Sequence, residues 1–258
     1  MADSRAALPG IEYLEMQAHV GITKHVGGIE ATDELVAQCH IADAREVLNV
    51  GCGIGVTSAY IAKKHGCHVV GVDISEKMIE WSRRRAKQDR VESKVELRVA
   101  DILELPFEAS RFDVVIVESV VVFIQDKARA IGECVRVTKP GGYVGLSESC
   151  WTEEPSPVLA ALARRDLGAE VPTAMAWQAL WVASGLKDRG VTIHQIDVRK
   201  EVRDRLRWIG ARWALHAVGR LFHLYLTRPA ARASIKAQFG TGLDSVETLA
   251  YGVFTGRK

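Results

Sequence analysis

Apolar runs of strand length alternate with segments of helical period through the first two thirds of the chain. The runs near 46–50, 68–73, 95–99, 112–118 and 143–148 are short and rich in Val and Ile, which predicts strands. Between them, 55–65, 75–88 and 125–137 repeat their apolar positions every three to four residues, which predicts helices. Such alternation implies right-handed crossovers and a parallel sheet. Strands that stay apolar at successive positions imply a sheet covered on both faces. Lys139-Pro140-Gly141-Gly142 predicts a turn that launches the fifth strand.

Beyond residue 150 the order changes. Helical stretches at 157–168 and 173–186 precede a strand from Val191 to Val198, and a last strand runs near Thr248 to Thr255. The interval between those strands, about 200–238, predicts a long helical insert. Within it Trp208, Ala211, Leu215, Val218, Phe222 and Tyr225 fall on one helical face. Ahead of the first strand, Thr32 has the character of an N-cap, with Asp33 and Glu34 in the first turn and Gly27-Gly28 in the loop before it.

Composition narrows the class. The chain has 258 residues, 48% hydrophobic and 26% charged, which suits a globular protein and excludes a disordered, collagen-like or coiled-coil one. A net charge of +2 excludes a polycation built to coat nucleic acid. The most apolar stretch, Phe112 to Ile124, is interrupted by Asp113 and Glu118. It falls short of the roughly 20 apolar residues a spanning helix needs, so no transmembrane segment is expected. The first residues lack the layout of a signal peptide. Cys39, Cys52, Cys67, Cys134 and Cys150 are widely spaced with no Cys-x-x-Cys pair. Reduced thiols in a cytoplasmic protein, with no metal site, fit that pattern.

The strongest local signal is Val47-Leu48-Asn49-Val50-Gly51-Cys52-Gly53-Ile54-Gly55, which joins a strand to a helix through glycines at alternate positions. Glycines there let the chain turn sharply and let a ligand lie against the main chain. Val69 to Asp73 follows as a buried strand ending in an acid 22 residues after Gly51. Asp73 is placed either to accept ribose hydroxyls or to cap the helix starting at Ser75 and Glu76. Asp101 ends the third strand above the same crevice, as acceptor for an adenine amino group or as cap of its own turn. A dinucleotide fingerprint wants its third glycine five residues after the first. Here the interval is four, which argues against a nicotinamide cofactor.

The runs VLNVGCGIG, VVGVDIS, VADILELPFEASRFDVVIVES and RVTKPGGYVGLSE, spanning roughly 45–150, together resemble the class I S-adenosylmethionine-dependent methyltransferases. LPFEASRFDVV and the KPGG turn are similar to the small-molecule branch that includes the ubiquinone/menaquinone, sterol and tocopherol enzymes. The resemblance implies a Rossmann-like α/β fold with a seven-stranded, mostly parallel sheet whose last strand is antiparallel, plus a helical cap. It implies an N-terminal helical lid over the cofactor (1–44), a core (45–198 and 247–258) and a helical insert in the substrate cap (199–246). Its cofactor would be S-adenosyl-L-methionine, leaving S-adenosyl-L-homocysteine as product.

Carried onto this chain, the resemblance places Gly51, Cys52, Gly53 and Gly55 along the methionine and ribose part of the cofactor. Asp73 would hold the ribose, with Ile74 against the adenine; Asp101 would meet the adenine amino group, with Ile102 beside it. Glu118 and Ser119 would lie near the transferable methyl. Asn49, also a cofactor-binding candidate, stands where the family usually has an acid that orders the glycine loop and the cofactor's amino group; Asn keeps the acceptor and loses the charge.

Methyl transfer from a sulfonium is an in-line displacement, so alignment supplies much of the catalysis. A hydroxyl acceptor would also need a base. His19 and His25 lead the candidates because the N-terminal segment covers the cofactor in this family; His194, His216 and His223 follow, and Tyr13 is a candidate for closing over the sulfonium. Cys150 and Trp151, after the fifth strand, are candidates for facing the substrate. The insert, with Trp177 and Trp181, suggests an apolar pocket for a flat or lipid-like small molecule.

Between Arg199 and Lys236 there are ten Lys or Arg and two acids, an excess of eight positive charges. That stretch reads as a cap helix with a solvated basic rim, as a peripheral membrane contact, or as a site for a phosphate-bearing substrate; nucleic acid is the weakest reading. Two rival functions remain: a sensor or scaffold that binds the cofactor without turnover, and a nicotinamide-dependent oxidoreductase.

Overall fold

The computed structural model describes residues 11–23, 25–197, 200, 203, 208–227, 232 and 248–258. Its centre is one seven-stranded sheet in the order β3-β2-β1-β4-β5-β7-β6. The strands are β1 (Glu46–Val50), β2 (His68–Asp73), β3 (Val95–Val99), β4 (Phe112–Glu118), β5 (Thr138–Trp151), β6 (Lys187–Gln195) and β7 (Leu249–Arg257). The first five pair in parallel, and β7 runs antiparallel to both β5 and β6.

Alternation along each strand sends neighbours to opposite faces. Val47, Val69, Val114 and Ile116 pack under α2 (Gly28–Gln38), α3 (Val56–His65) and α4 (Glu76–Asp89). Leu48, Val70, Val115 and Val117 pack under α5 (Lys127–Val137) and α7 (Ala174–Ala183). Both faces are therefore dry, which is why these strands read as continuous Val/Ile runs. A helix α1 (Ile11–Val20), α6 (Pro157–Leu167) and α8 (Ala211–Thr227), the last within the insert, complete the fold among the described residues.

Several local expectations need correction. Thr32 does not start a helix: α2 begins at Gly28 with Gly27 at its N-cap, and the Thr32 hydroxyl donates inside the protein to Glu118 Oε1 at 2.6 Å. Asp33 and Glu34 consequently sit mid-helix. Of the N-terminal segment, α1 reaches the cavity described below, whereas α2 packs on the sheet through Ala31 and Leu35. The Lys139-Pro140-Gly141-Gly142 turn lies inside the span of β5, where the pairing with β4 is irregular between Phe112 and Val114. Cys150 and Trp151 belong to β5 and are buried in the core, the Cys150 thiol pushed up to about 12 by that burial. Trp177 and Trp181 fill the core too, donating to the carbonyls of Ser149 and Thr255.

The insert helix turns a different face inward from the expected one. Trp213, Ala217 and Leu224 are buried, while Leu215, Val218 and Phe222 face out. The sequence was ambiguous because α8 is apolar on both sides; Trp213 decides the matter by reaching α1, where its Nε1 donates to the Gly21 carbonyl at 2.7 Å. Expectations for 1–10, 198–199 and most of 200–207 and 228–247 lie outside the described residues.

Candidate functional site

The chain runs from β1 outward to β2 and β3, then returns to place β4 on the other side of β1. At such a reversal the loops above the strand ends splay apart and leave a crevice. A cavity of about 880 Å³, including its mouth, lies there. It is lined by the ends of β1 (Val50, Gly51), β2 (Asp73, Ile74) and β4 (Glu118, Ser119), by Ala100 to Ile102 after β3, and by Phe123 and Ile124. Leu14 and Gln17 of α1, with Thr23, close one side.

The glycine loop explains itself in backbone angles. Gly51 and Gly53 have φ of 68° and 53°, a left-handed conformation that side chains disfavour. A Cβ on Gly51 would lie 2.1 Å from Val120 Cγ2, and one on Gly53 would lie 2.7 Å from Thr23 Oγ1. Gly55 caps α3 and packs on Ser82, so it supports the loop from behind without lining the cavity.

Asp73 accepts the Gly53 N–H at 2.9 Å on one carboxylate oxygen and the Ser75 N–H at 2.9 Å on the other. The helix cap is Ser75, whose hydroxyl accepts from the Met78 N–H. Burial pushes the Asp73 carboxyl upward, and the two amides pull it back. Each oxygen retains a lone pair for a further donor. Asp101 is exposed at the rim, with Oδ1 accepting the Leu103 N–H at 2.9 Å. Ile74 is 57% exposed, an apolar platform between the two acids, with Ile102 buried nearby.

The loop-ordering role expected of Asn49 falls to Asp73. Asn49 is buried, donates to Ser58 Oγ at 2.9 Å and ties β1 to α3; it does not line the cavity. Cys52 is also outside the lining, buried with its sulfur 3.7 Å from Ser82 Oγ and its thiol pushed far up by burial.

Glu118 lines the cavity with both oxygens engaged, by Thr32 at 2.6 Å and Thr57 at 2.7 Å. His25 Nδ1 lies 4.0 Å from Glu118 Oε2. Ser119 has φ 55°, a strained angle for a residue with a side chain, fixed by its N–H to the Ser147 carbonyl and its hydroxyl accepting from the Val26 N–H. His19 is not at the cavity: it bonds back to the Glu15 carbonyl and faces a hollow along α8. His216 and His223 line that same hollow, and His194 pairs with Glu34 at 2.7 Å. Tyr13 lies on α1, and its side chain is outside the described residues.

One buried acid escaped the sequence reading. Glu148 of β5 accepts the N–H groups of Val120, Val121 and Val122 at 3.0, 2.7 and 3.2 Å, so it holds the loop that forms the cavity wall. Burial raises its carboxyl to about 7. The only signal available was an acid within the apolar run Val144 to Cys150.

The described lining carries three carboxylates and no Lys or Arg. That field suits a cationic ligand and disfavours a pyrophosphate. A nucleoside with a charged tail also fits the donor set: acceptors for a diol and an amino group flank an exposed apolar platform, beside bare glycine backbone. Among the described residues no group of three or more His, Cys, Asp or Glu is arranged to hold a metal ion. No described helix is long and apolar enough to cross a membrane.

Comparison with known proteins gives the same direction. Residues 48–146 match the family described as Methyltransferase domain. Phosphoethanolamine N-methyltransferase 1 of Arabidopsis thaliana is 37% identical over 124 residues, 48% of this chain and 25% of that protein. The chain spans from about a quarter to about half the length of the curated relatives it matches. Among solved structures, the [4+2]-cyclase SpnF aligns with a TM-score of 0.73 at 18% identity, over 98% of this chain and 97% of its own. An S-adenosylmethionine-dependent methyltransferase from Thiobacillus denitrificans, in complex with S-adenosyl-L-homocysteine, aligns at 0.69 and 19% identity, over 94% and 96%. These two share the fold.

Proposed function

We propose, from the match of residues 48–146 to a methyltransferase domain, that the chain binds S-adenosyl-L-methionine and transfers its methyl group to a small-molecule acceptor. The observation that carries the proposal is the pairing of Asp73 and Asp101 across an exposed Ile74, beside the Gly51–Gly53 backbone, in one crevice. In this reading Asp73 accepts the ribose hydroxyls with its remaining lone pairs, and Asp101 accepts the adenine amino group. Ile74 and Ile102 flank the ring. The bound cofactor would supply a methyl group already activated on a sulfonium.

The chain's own part is then alignment and exclusion of water. Glu148 holds the 120–122 loop, and Glu118 is held by Thr32 and Thr57, so both walls are fixed before ligand arrives. Leu14, Val120, Phe123 and Ile124 give the cavity an apolar end. That end, with no Lys or Arg in the described lining, supports a neutral, apolar acceptor over a phosphate-bearing one. His25, beside Glu118, is the candidate base for a hydroxyl acceptor.

A second reading has a specific observation behind it. One of the structures matched over nearly its whole length is named a cyclase, so the fold serves chemistry besides methyl transfer. Incubation with methyl-labelled S-adenosyl-L-methionine and a panel of quinols, phenols, amines and phosphoethanolamine separates the readings. Label transferred to an apolar acceptor, and blocked by S-adenosyl-L-homocysteine, is the expected result. Tight cofactor binding with no transfer to any acceptor would favour the second reading, and preference for phosphoethanolamine would overturn the apolar acceptor.

A further inference from the structure

Helix α8 has an apolar face that the rest of the described protein leaves uncovered. Leu215, Val218, Phe222 and Leu226 are 73, 63, 63 and 55% exposed. Their spacing of three or four residues sets them in one stripe along the helix. The opposite face, through Trp213, Ala217 and Leu224, is already committed to α1 and its surroundings, so the stripe is not an inner surface turned outward by chance.

Beside the stripe runs a cationic flank. Arg212, His216 and Arg220 recur every four residues and border a hollow shared with Trp81 and Gln88. Arg220 donates its Nε to the Val20 carbonyl at 2.6 Å, yet its Nη2 is buried with no hydrogen-bond partner. Its guanidinium stacks on the Trp81 ring, 4.5 Å from the centroid, and Arg84 approaches the same ring at 4.5 Å. Helix α8 contains no acid. The exposed basic side chains of Arg212 and His216 beside an apolar stripe, on a helix with no acid, call for anionic oxygens next to an apolar phase.

We propose that α8 docks on an anionic phospholipid surface, with the Leu215–Leu226 stripe entering the acyl boundary and the Arg212/His216/Arg220 flank binding lipid phosphates. A free phosphate would satisfy the cations and leave the stripe in water. A second copy of the chain would cover the stripe but set two acid-free, basic helices face to face. The net excess of eight positive charges between Arg199 and Lys236 adds attraction towards the same surface.

The test is co-sedimentation of the full chain with phosphatidylcholine vesicles and with mixed phosphatidylcholine–phosphatidylglycerol vesicles, at low and high salt. Binding to mixed vesicles, about tenfold or more weaker on phosphatidylcholine alone and weakened by salt, is expected. The double variant Leu215→Asp/Phe222→Asp should lose that binding while keeping its circular dichroism and its affinity for S-adenosyl-L-homocysteine. Arg212→Glu should weaken it on mixed vesicles only. No binding to mixed vesicles would overturn the proposal, as would a double variant that binds like the parent. A dimer in light scattering that the double variant converts to monomer, without vesicle binding, would assign the stripe to a second copy. Thermal stabilisation by inorganic phosphate without vesicle binding would reduce the flank to a simple anion site.

Discussion

Asp73 is asked to serve the protein and a ligand at once. Its two oxygens already hold the Gly53 and Ser75 amides, so the carboxylate is oriented before anything binds. Asp73→Asn sets an NH2 group against one of those amides. It should cost about 1–3 kcal/mol of stability and at least about tenfold in cofactor affinity, read by chemical denaturation and calorimetry. Glu148 gives a pH signature. Its carboxyl titrates near 7 in the fold, well above the ordinary 4.5 of an exposed side chain. Between those values the folded chain holds a proton that the unfolded chain has released, so stability falls as pH rises through that window. Glu148→Gln should flatten the fall, a difference of up to about 3 kcal/mol between pH 4.5 and 7. Parallel slopes in parent and variant would show that Glu148 titrates normally. The sequence displayed Asp73 and Asp101 because strand-end acids stand out after Val-rich runs. It hid Glu148, whose role depends on three amides more than twenty residues away in the chain. Asn49 matches the motif by position, and its bond to Ser58, nine residues on, was not legible in that match.

Elements were legible where periodicity had one meaning. The central strands β1, β2 and β4 are apolar on both sides, the edge strand β3 alternates apolar with charged residues, and the turns after them carry Gly or acids. Where an element is apolar on two faces, as α8 is, the pattern could not say which one turns inward. What orients α8 is tertiary. The last carbonyls of α1 have no intrahelical partner, and Trp81, Arg220 and Trp213 donate to those of Ala18, Val20 and Gly21. A ten-residue helix is marginal alone, so this clamp holds α1 across the cavity. Trp213→Ala should destabilise the fold by about 3–5 kcal/mol. It should also weaken cofactor binding, because Leu14 and Gln17 of α1 form one wall. Trp213→Phe keeps most of the packing and should cost about 1 kcal/mol. In the glycine loop, Gly51→Ala meets Val120 at 2.1 Å. The strained angle and the clash together should cost about 1–3 kcal/mol and displace the wall that Glu148 fixes. Unchanged affinity in that variant would mean that the wall does not touch the ligand.

At the scale of the molecule, charge is divided. The net +2 combines an excess of eight in the insert with a remainder of about −6, and the cavity at the strand-order reversal is lined by acids. One sheet thus presents an acidic crevice at its carboxyl end and a basic helix beside it. The proposed function requires that crevice to grip an adenosyl group through two acids. Isothermal titration of S-adenosyl-L-homocysteine into the parent, Asp73→Ala and Asp101→Ala, with NADH as control, tests this most directly. One site per chain in the parent, affinity about tenfold or more lower in each variant, and no heat from NADH are expected. Equal affinity in all three proteins, or no binding by a folded parent, would contradict the proposed function.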